Sequence, residues 1–121
     1  MTVRTAVVIT ASNRASAGVY ADTSGEILAA GLVKLGYELS DPIVIPDDVT
    51  QIQDAIKRSL AEKVDLIVTT GGTGVSPHDV TPEATAPLIE KLLPGIPEAF
   101  RAYSRDRVPT TDLSRGLAGV N

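Results

Sequence analysis

The 121-residue sequence predicts an α/β domain, three layers deep, with a mainly parallel sheet between helices. Three observations predict it. Apolar, β-branched runs alternate with segments of helical spacing in the order strand, helix, strand, helix, strand, helix, which is the order that builds parallel sheets through right-handed crossovers. The strand runs are apolar throughout rather than alternating, as strands covered on both faces are. The composition, 43% hydrophobic with only 3% aromatic, calls for an aliphatic core, and the length allows one domain.

The first element is the run Val3 to Ala11, a buried strand that ends in Ser12, Asn13 and Arg14. Arg4, the apolar Ala6 to Ile9 and the triplet Ala15, Ser16, Ala17 imitate a secretory leader. Four apolar residues fall short of the roughly 7–15 such a leader needs, so the strand reading stands. A loop follows from Ala15 to Asp22. Thr23 and Glu26 have capping-box spacing, which starts a helix carrying Ile27, Leu28, Leu32 and Leu35 on one stripe up to a cap at Gly36. Ile43 to Ile45 is a short strand between Pro42 and Pro46. Thr50 and Gln53 form a second capping box before a helix that presents Ile52, Ile56 and Leu60 inward. Val64 to Thr70 is the next buried strand, ending in a glycine-rich loop. Thr81 as N-cap with Pro82 at the first helical position predicts a third helix with Leu88, Ile89 and Leu92 facing the core, stopped by Pro94 and Gly95. Pro97 starts a fourth helix that packs Phe100 and Tyr103, and a loop after Val108 and Pro109 leads to Leu117 to Val120.

Charge and composition remove several function classes. Eleven basic against fifteen acidic residues leave a net charge of −4, with no field to attract a phosphate backbone, so nucleic acid is not expected as a partner. Scarce aromatics leave little for base stacking. The absence of Cys removes thiolate nucleophiles and zinc ribbons and suits the cytosol, and the single His78 removes His-rich metal sites. No uncharged apolar run approaches the roughly 20 residues of a membrane helix, so no membrane partner is expected.

Ligands of open α/β sheets lie beyond the carboxyl ends of the strands. Those ends carry Ser12 to Arg14, Pro46 to Asp48, and the loop Gly71 to Asp79. Gly71, Gly72, Thr73 and Gly74 would let successive backbone N–H groups approach an anion such as phosphate, with hydroxyls of Thr69, Thr70, Thr73 and Ser76 adding donors. No Lys follows the glycines, which excludes a Walker A loop, and Pro77 occupies the third-glycine position of a dinucleotide fingerprint. Taken alone, the glycine cluster reads equally as a tight turn. Asp47 and Asp79 flank it. Either one alone reads as a helix cap; together beside a phosphate they imply a hard cation between, such as Mg²⁺. Arg14 reaches phosphate from a strand end or is an ordinary surface Arg, His78 reads as solvated, and Ser114 with Arg115 lines a pocket or makes a turn.

Thr70 to Gly74 followed by Asp79 to Thr85 resembles the signature of the MogA/MoaB-type proteins of molybdenum-cofactor biosynthesis, the type that includes the gephyrin G domain. Ser12 to Arg14, Ala17 to Tyr20 with Asp22, Pro46 with Asp47, and Leu113 to Gly116 extend the resemblance over nearly the whole chain. It implies the MogA-like molybdopterin-binding fold and a molybdopterin adenylyltransferase, with ATP and molybdopterin as substrates, Mg²⁺ as cofactor and pyrophosphate as product. By position it implies Asp47 and Asp79 as catalytic and metal-binding acids. The same carry-over gives Ser12, Arg14, Thr70, Gly71, Gly72, Thr73, Gly74, Ser76, Ser114 and Arg115 as ligand-binding residues. It further implies a homotrimer, cytoplasmic, with the pathway's molybdenum-insertion enzyme as a partner. Asn13 stands where many relatives have Asp. Relatives continue past the equivalent of Asn121 into a further strand, a loop and a closing helix, so the expectation is a single domain over 1–121 that is incomplete at its C-terminal side. Alternatives are a molybdopterin-binding protein that does not adenylylate, a CinA-like domain of nucleotide metabolism, and a small self-associating module without catalysis.

Overall fold

The computed structural model describes residues 2–19 and 21–121; Met1, and Tyr20 of the Ala17 to Tyr20 segment, lie outside the described residues. Strand β1 (Thr5–Ala11) is the axis of the molecule. Its run of Val, Ile and Ala has no polar face, and every residue from Ala6 to Ala11 is buried. Alternate residues serve opposite layers, as the two-residue period of a strand requires. Val7, Ile9 and Ala11 pack with Ile52, Ala55, Ile56 and Ala84, whereas Ala6 and Val8 pack with Leu32.

Helix α2 (Thr23–Lys34) covers the second of these faces through Leu28 and Leu32, and α3 (Val49–Ala61) covers the first through Ile52 and Ile56. The result is the three-layer α/β/α arrangement that the sequence predicts. Three strands pair in parallel with β1 to make a four-stranded sheet. β4 (Leu66–Thr70) occupies one edge, in register Ala6 to Leu66 through Thr10 to Thr70. The other edge is shared: β2 (Glu38–Leu39) pairs the start of β1 and β3 (Ile43–Ile45) pairs its end. Between them Ser40, Asp41 and Pro42 span what Val7 and Val8 span in β1, one residue more, so the edge bulges where Pro42 has no N–H to give. β2 was not expected.

Several expectations need correction. The first expected strand starts at Thr5 rather than Val3, and β4 starts at Leu66 rather than Val64. The Ala15 to Asp22 loop begins inside a four-residue helix, α1 (Asn13–Ser16), capped by the Ser12 hydroxyl. Helices α2 and α3 are capped one and two residues earlier than expected, by Asp22 accepting from the Gly25 N–H and Asp48 accepting from the Gln51 N–H, because a carboxylate is the stronger acceptor at a positive helix end. Ile27 and Leu35 are exposed and leave Leu28 and Leu32 as the packing stripe of α2. The third helix, α4 (Thr81–Thr85), is far shorter than expected: Pro87 lacks the N–H that would continue the helical hydrogen bonding, and the chain tightens into a 3₁₀ turn over Ala86–Leu88. Leu88 and Ile89 still turn partly inward, but Leu92 belongs to β5 (Lys91–Leu92), which pairs antiparallel with β6 (Gly119–Val120), and is exposed. In α5 (Gly95–Ser104), Phe100 and Tyr103 are 69% and 78% exposed instead of packed.

Candidate functional site

The carboxyl ends of β1, β3 and β4 converge, and the chain leaves each of them through a residue with a specific task. After β4, Gly71 and Gly72 take φ of +92° and +70°, values that favour glycine. Space is short there as well. A β-carbon on Gly71 would collide with the Ala11 carbonyl, and one on Gly72 would collide with the Thr81 hydroxyl and lie 3.2 Å from Asp47 Oδ1.

The carbonyls of this turn are all tied into the protein. The Thr81 hydroxyl donates to Gly71 O at 2.9 Å and the Thr81 N–H to Gly72 O at 3.1 Å. The Arg115 N–H donates to Thr73 O at 2.7 Å and Arg115 Nε to Gly74 O at 2.7 Å. Thr81 is therefore a fastener for the turn and not the expected side-chain cap of α4. The N–H groups of Gly72, Thr73 and Gly74 meet no protein acceptor among the described residues. Donors left over beside a fixed backbone are what an anion cradle consists of.

Asp47 sits one residue past Pro46. It is locked reciprocally to Asn13: the Asp47 N–H donates to Asn13 Oδ1 at 2.8 Å and the Asn13 N–H donates to Asp47 Oδ2 at 3.2 Å. The other oxygen, Oδ1, is buried without a hydrogen-bond partner among the described residues and lies on the Gly72 side. A carboxylate oxygen so placed fits a cationic ligand. Asp79 lies further along the loop, where its Oδ2 accepts the Ser76 N–H at 2.9 Å and its own N–H donates to Ser76 O. The two acids thus stand near Gly72 and Gly74 respectively, and no group of three or more His, Cys, Asp or Glu gathers among the described residues.

Two clefts border the turn. One, about 320 Å³, is lined by Asp47, Gly71, Gly72, Thr70, Ser12 and the N-terminal residues of α2. The other, about 290 Å³, lies between α4, α5 and the C-terminal segment and includes Thr73, Ser114 and Arg101. Of the expected residues, these clefts collect Ser12, Asp47, Thr70, Gly71, Gly72, Thr73 and Ser114. Gly74, Ser76, Asp79 and Arg115 form the adjoining rim, and Arg14 is exposed on α1. Ser114 holds its neighbours: its carbonyl accepts from Arg101 at 3.1 Å and its hydroxyl from the Gly116 N–H at 3.3 Å. Arg115 and Glu83 form an ion pair at 2.6 Å, whose hydrogen bond raises the basicity of the guanidinium and lowers the Glu83 carboxyl below its ordinary range.

Residues that the sequence did not single out for their chemistry also line these clefts. Asp22 and Thr10 stand opposite Asp47, with the Thr10 hydroxyl donating to Asp22 Oδ2 at 2.8 Å. The signal for Asp22 was its position just before a helix in a loop close to a strand end, which capping alone explains equally well.

Residues 7–118 match the family model described as "Probable molybdopterin binding domain". The chain is 42% identical over 118 residues to a protein of Helicobacter pylori named molybdopterin adenylyltransferase, covering 93% of this chain and 66% of that one. It thus spans just under two thirds of that relative's length. Among solved structures it resembles the molybdopterin biosynthesis Mog protein of Mycobacterium ulcerans, at TM-score 0.90 and 42% identity over 97% of this chain and 76% of that one. It also resembles the tungsten cofactor synthesizing protein MoaB of Pyrococcus furiosus, at TM-score 0.90 and 33% identity over 100% of this chain and 76% of that one.

Proposed function

Because the chain belongs to the molybdopterin-binding domain family, we propose that it is the core of a molybdopterin adenylyltransferase of molybdenum-cofactor biosynthesis. The observation that carries the proposal is the Gly71 to Gly74 turn, whose carbonyls are fastened by Thr81 and Arg115 and whose Gly72, Thr73 and Gly74 N–H groups meet no acceptor among the described residues, beside a carboxylate oxygen of Asp47 that has no partner among them. A cleft on each side of one phosphate cradle suits a reaction that joins two phosphate-bearing substrates. In that reaction a terminal phosphate oxygen of molybdopterin attacks the α-phosphorus of ATP. A new P–O–P bond forms, the bond between the α- and β-phosphates breaks, and pyrophosphate leaves.

The protein's part is positioning and charge. The turn's N–H groups hold phosphate oxygens in place, and the hydroxyls of Thr70, Thr73, Ser12 and Ser114 orient the rest of the ligands, with Arg14 at the margin. Asp47 Oδ1 fits a hard cation, and one free carboxylate is enough for Mg²⁺, which takes most of its ligands from phosphates and water. Asp79 would supply a second carboxylate once Ser76 is released. A bound Mg²⁺ would neutralise charge on the triphosphate. The proposal extends to a cytoplasmic homotrimer whose product passes to an enzyme of molybdenum insertion.

The test is pyrophosphate release from ATP and molybdopterin, with Mg²⁺ and with chelator. Release that requires both substrates and the metal supports the reading. Tight pterin binding with no pyrophosphate would replace it with a carrier function.

A further inference from the structure

Arg115 reaches four separate points of the site. Its N–H bonds Thr73 O at 2.7 Å, Nε bonds Gly74 O at 2.7 Å, and Nη2 bonds Asp79 O at 2.8 Å. Nη1 and Nη2 also bond the two oxygens of Glu83 at 2.6 and 3.2 Å, the bidentate geometry for which a guanidinium is suited. These acceptors belong to both ends of the 73–79 loop and to helix α4. Four of the five N–H donors of the guanidinium are consumed inside the protein, which leaves one for anything else.

We propose that Arg115 is a positioning residue: with Glu83 it forms a clip that fixes the 73–79 loop, and through it the Asp79 carboxylate and the cradle N–H groups, and it is not a substrate ligand. The consequence for catalysis rests on the adenylyltransferase reading; the mechanical role does not. Seen from the loop, the clip is its main long-range restraint; Thr81 fastens the residues just before it, Gly71 and Gly72. The segment from Thr73 to Asp79 lies outside helix and strand, and its internal hydrogen bonds are short-range ones such as those between Ser76 and Asp79. Without outside anchors such a loop samples many conformations, and a donor set must be held still to favour a transition state. Glu83 in turn lies on the first turn of α4, whose Thr81, Pro82 and Ala84 are buried, so the clip ties the loop to a turn anchored in the core.

Three variants test this: Arg115→Ala, Arg115→Lys and Glu83→Gln. Lys keeps the charge but cannot reach the Gly74, Asp79 and Glu83 acceptors together. Gln keeps an acceptor and loses the ion pair. Hydrogen exchange of the bonded amides of Ser76, His78 and Asp79 should accelerate at least tenfold in Arg115→Ala and in Arg115→Lys, less in Glu83→Gln, with β1 amides unchanged. That readout needs no substrate, so it judges the clip even where adenylyl transfer is not found. In turnover, the two Arg115 variants should lose kcat tenfold or more with KM for ATP within about threefold, because transition-state geometry is lost while ground-state binding persists. Loop exchange unaltered in a folded Arg115→Lys protein would overturn the clip. A raised KM with intact kcat would make Arg115 a substrate ligand and overturn the proposal equally.

Discussion

At the scale of single residues, the site depends on a few atoms whose partners are far away in sequence. Asp47 is the most telling: Asn13 holds its Oδ2 and N–H, while Oδ1 is buried without a partner among the described residues, which is costly unless a ligand meets it. Asp47→Asn and Asp79→Asn should each lower Mg²⁺-dependent pyrophosphate release about a hundredfold or more with the fold intact, the scale of losing a charge partner of the transition state. Near wild-type turnover in both would return the acids to loop and cap roles. The glycines separate further. Gly72→Ala puts a methyl against the buried Thr81 hydroxyl at positive φ, so stability and ligand affinity should fall together. Gly74→Ala is the cleaner probe: its β-carbon meets chiefly Asp79 Oδ2, at 2.7 Å, and its φ is not in the positive range. Calorimetric unfolding should change by less than about 0.5 kcal/mol, while pyrophosphate release falls at least tenfold. Asp47, Asp79 and the glycines were legible in the sequence because they follow strand ends, where α/β folds place ligands. The orphaned oxygen and the inward turn of Arg115 were not, because both arise from contacts across more than thirty positions, such as Arg115 to Glu83.

At the scale of elements, what could be read was what local pattern decides. The β1 run and the Ile52, Ile56, Leu60 spacing of α3 fix their own burial, and both lie where the pattern puts them. Caps were misread because Thr23 and Thr50 each stand close to an Asp, and spacing does not say which side chain reaches the helix end. The difference has consequences for stability. Asp48 caps α3 from an exposed position, whereas Asp22 also accepts the hydroxyl of Thr10, which is 5% exposed. Asp48→Ala should cost about 1 kcal/mol, and Asp22→Ala about 1–2 kcal/mol more because Thr10 is left unpaired; urea unfolding of both variants measures the gap. A gap of zero would place the Thr10 contact outside the energetics of the fold. The Glu83 pair adds a pH dependence. Its carboxyl lies below the ordinary value of 4.5 in the folded state, so the stabilisation is present above that value and is lost as pH falls through the lower, folded one. Exchange of the Ser76, His78 and Asp79 amides should therefore quicken below pH 4.5, relative to β1 amides in the same sample, and in Glu83→Gln that step should vanish.

For the whole molecule the decisive quantity is surface. A folded monomer of 12.6 kDa exposes about 6,200 Å² by the usual scaling, and this chain exposes 7866 Å². The excess of about 1,700 Å² is surface open to further chain or to other copies. A closed ring of copies needs two faces, since each subunit offers one patch to one neighbour and a different patch to the other. Part of the excess is apolar and organised. Ile96, Phe100 and Tyr103 recur along one face of α5 at helical spacing, 43%, 69% and 78% exposed, and no aromatic is among the buried core residues of the described chain. Left in water, that face gives up the stabilisation that burying three large side chains contributes, of the order of 1.5–3 kcal/mol each. The proposed homotrimer would cover that face, and sedimentation equilibrium at micromolar concentration should then return three times the chain mass. Phe100→Asp places a charge in the middle of the α5 face while lying outside the buried core, so it should shift the equilibrium toward monomer without unfolding the protein. Two outcomes decide the matter. A wild-type chain that sediments as a monomer throughout the range would rule out self-association. A trimer indifferent to Phe100→Asp would move the contact off α5 and onto another exposed surface of the domain.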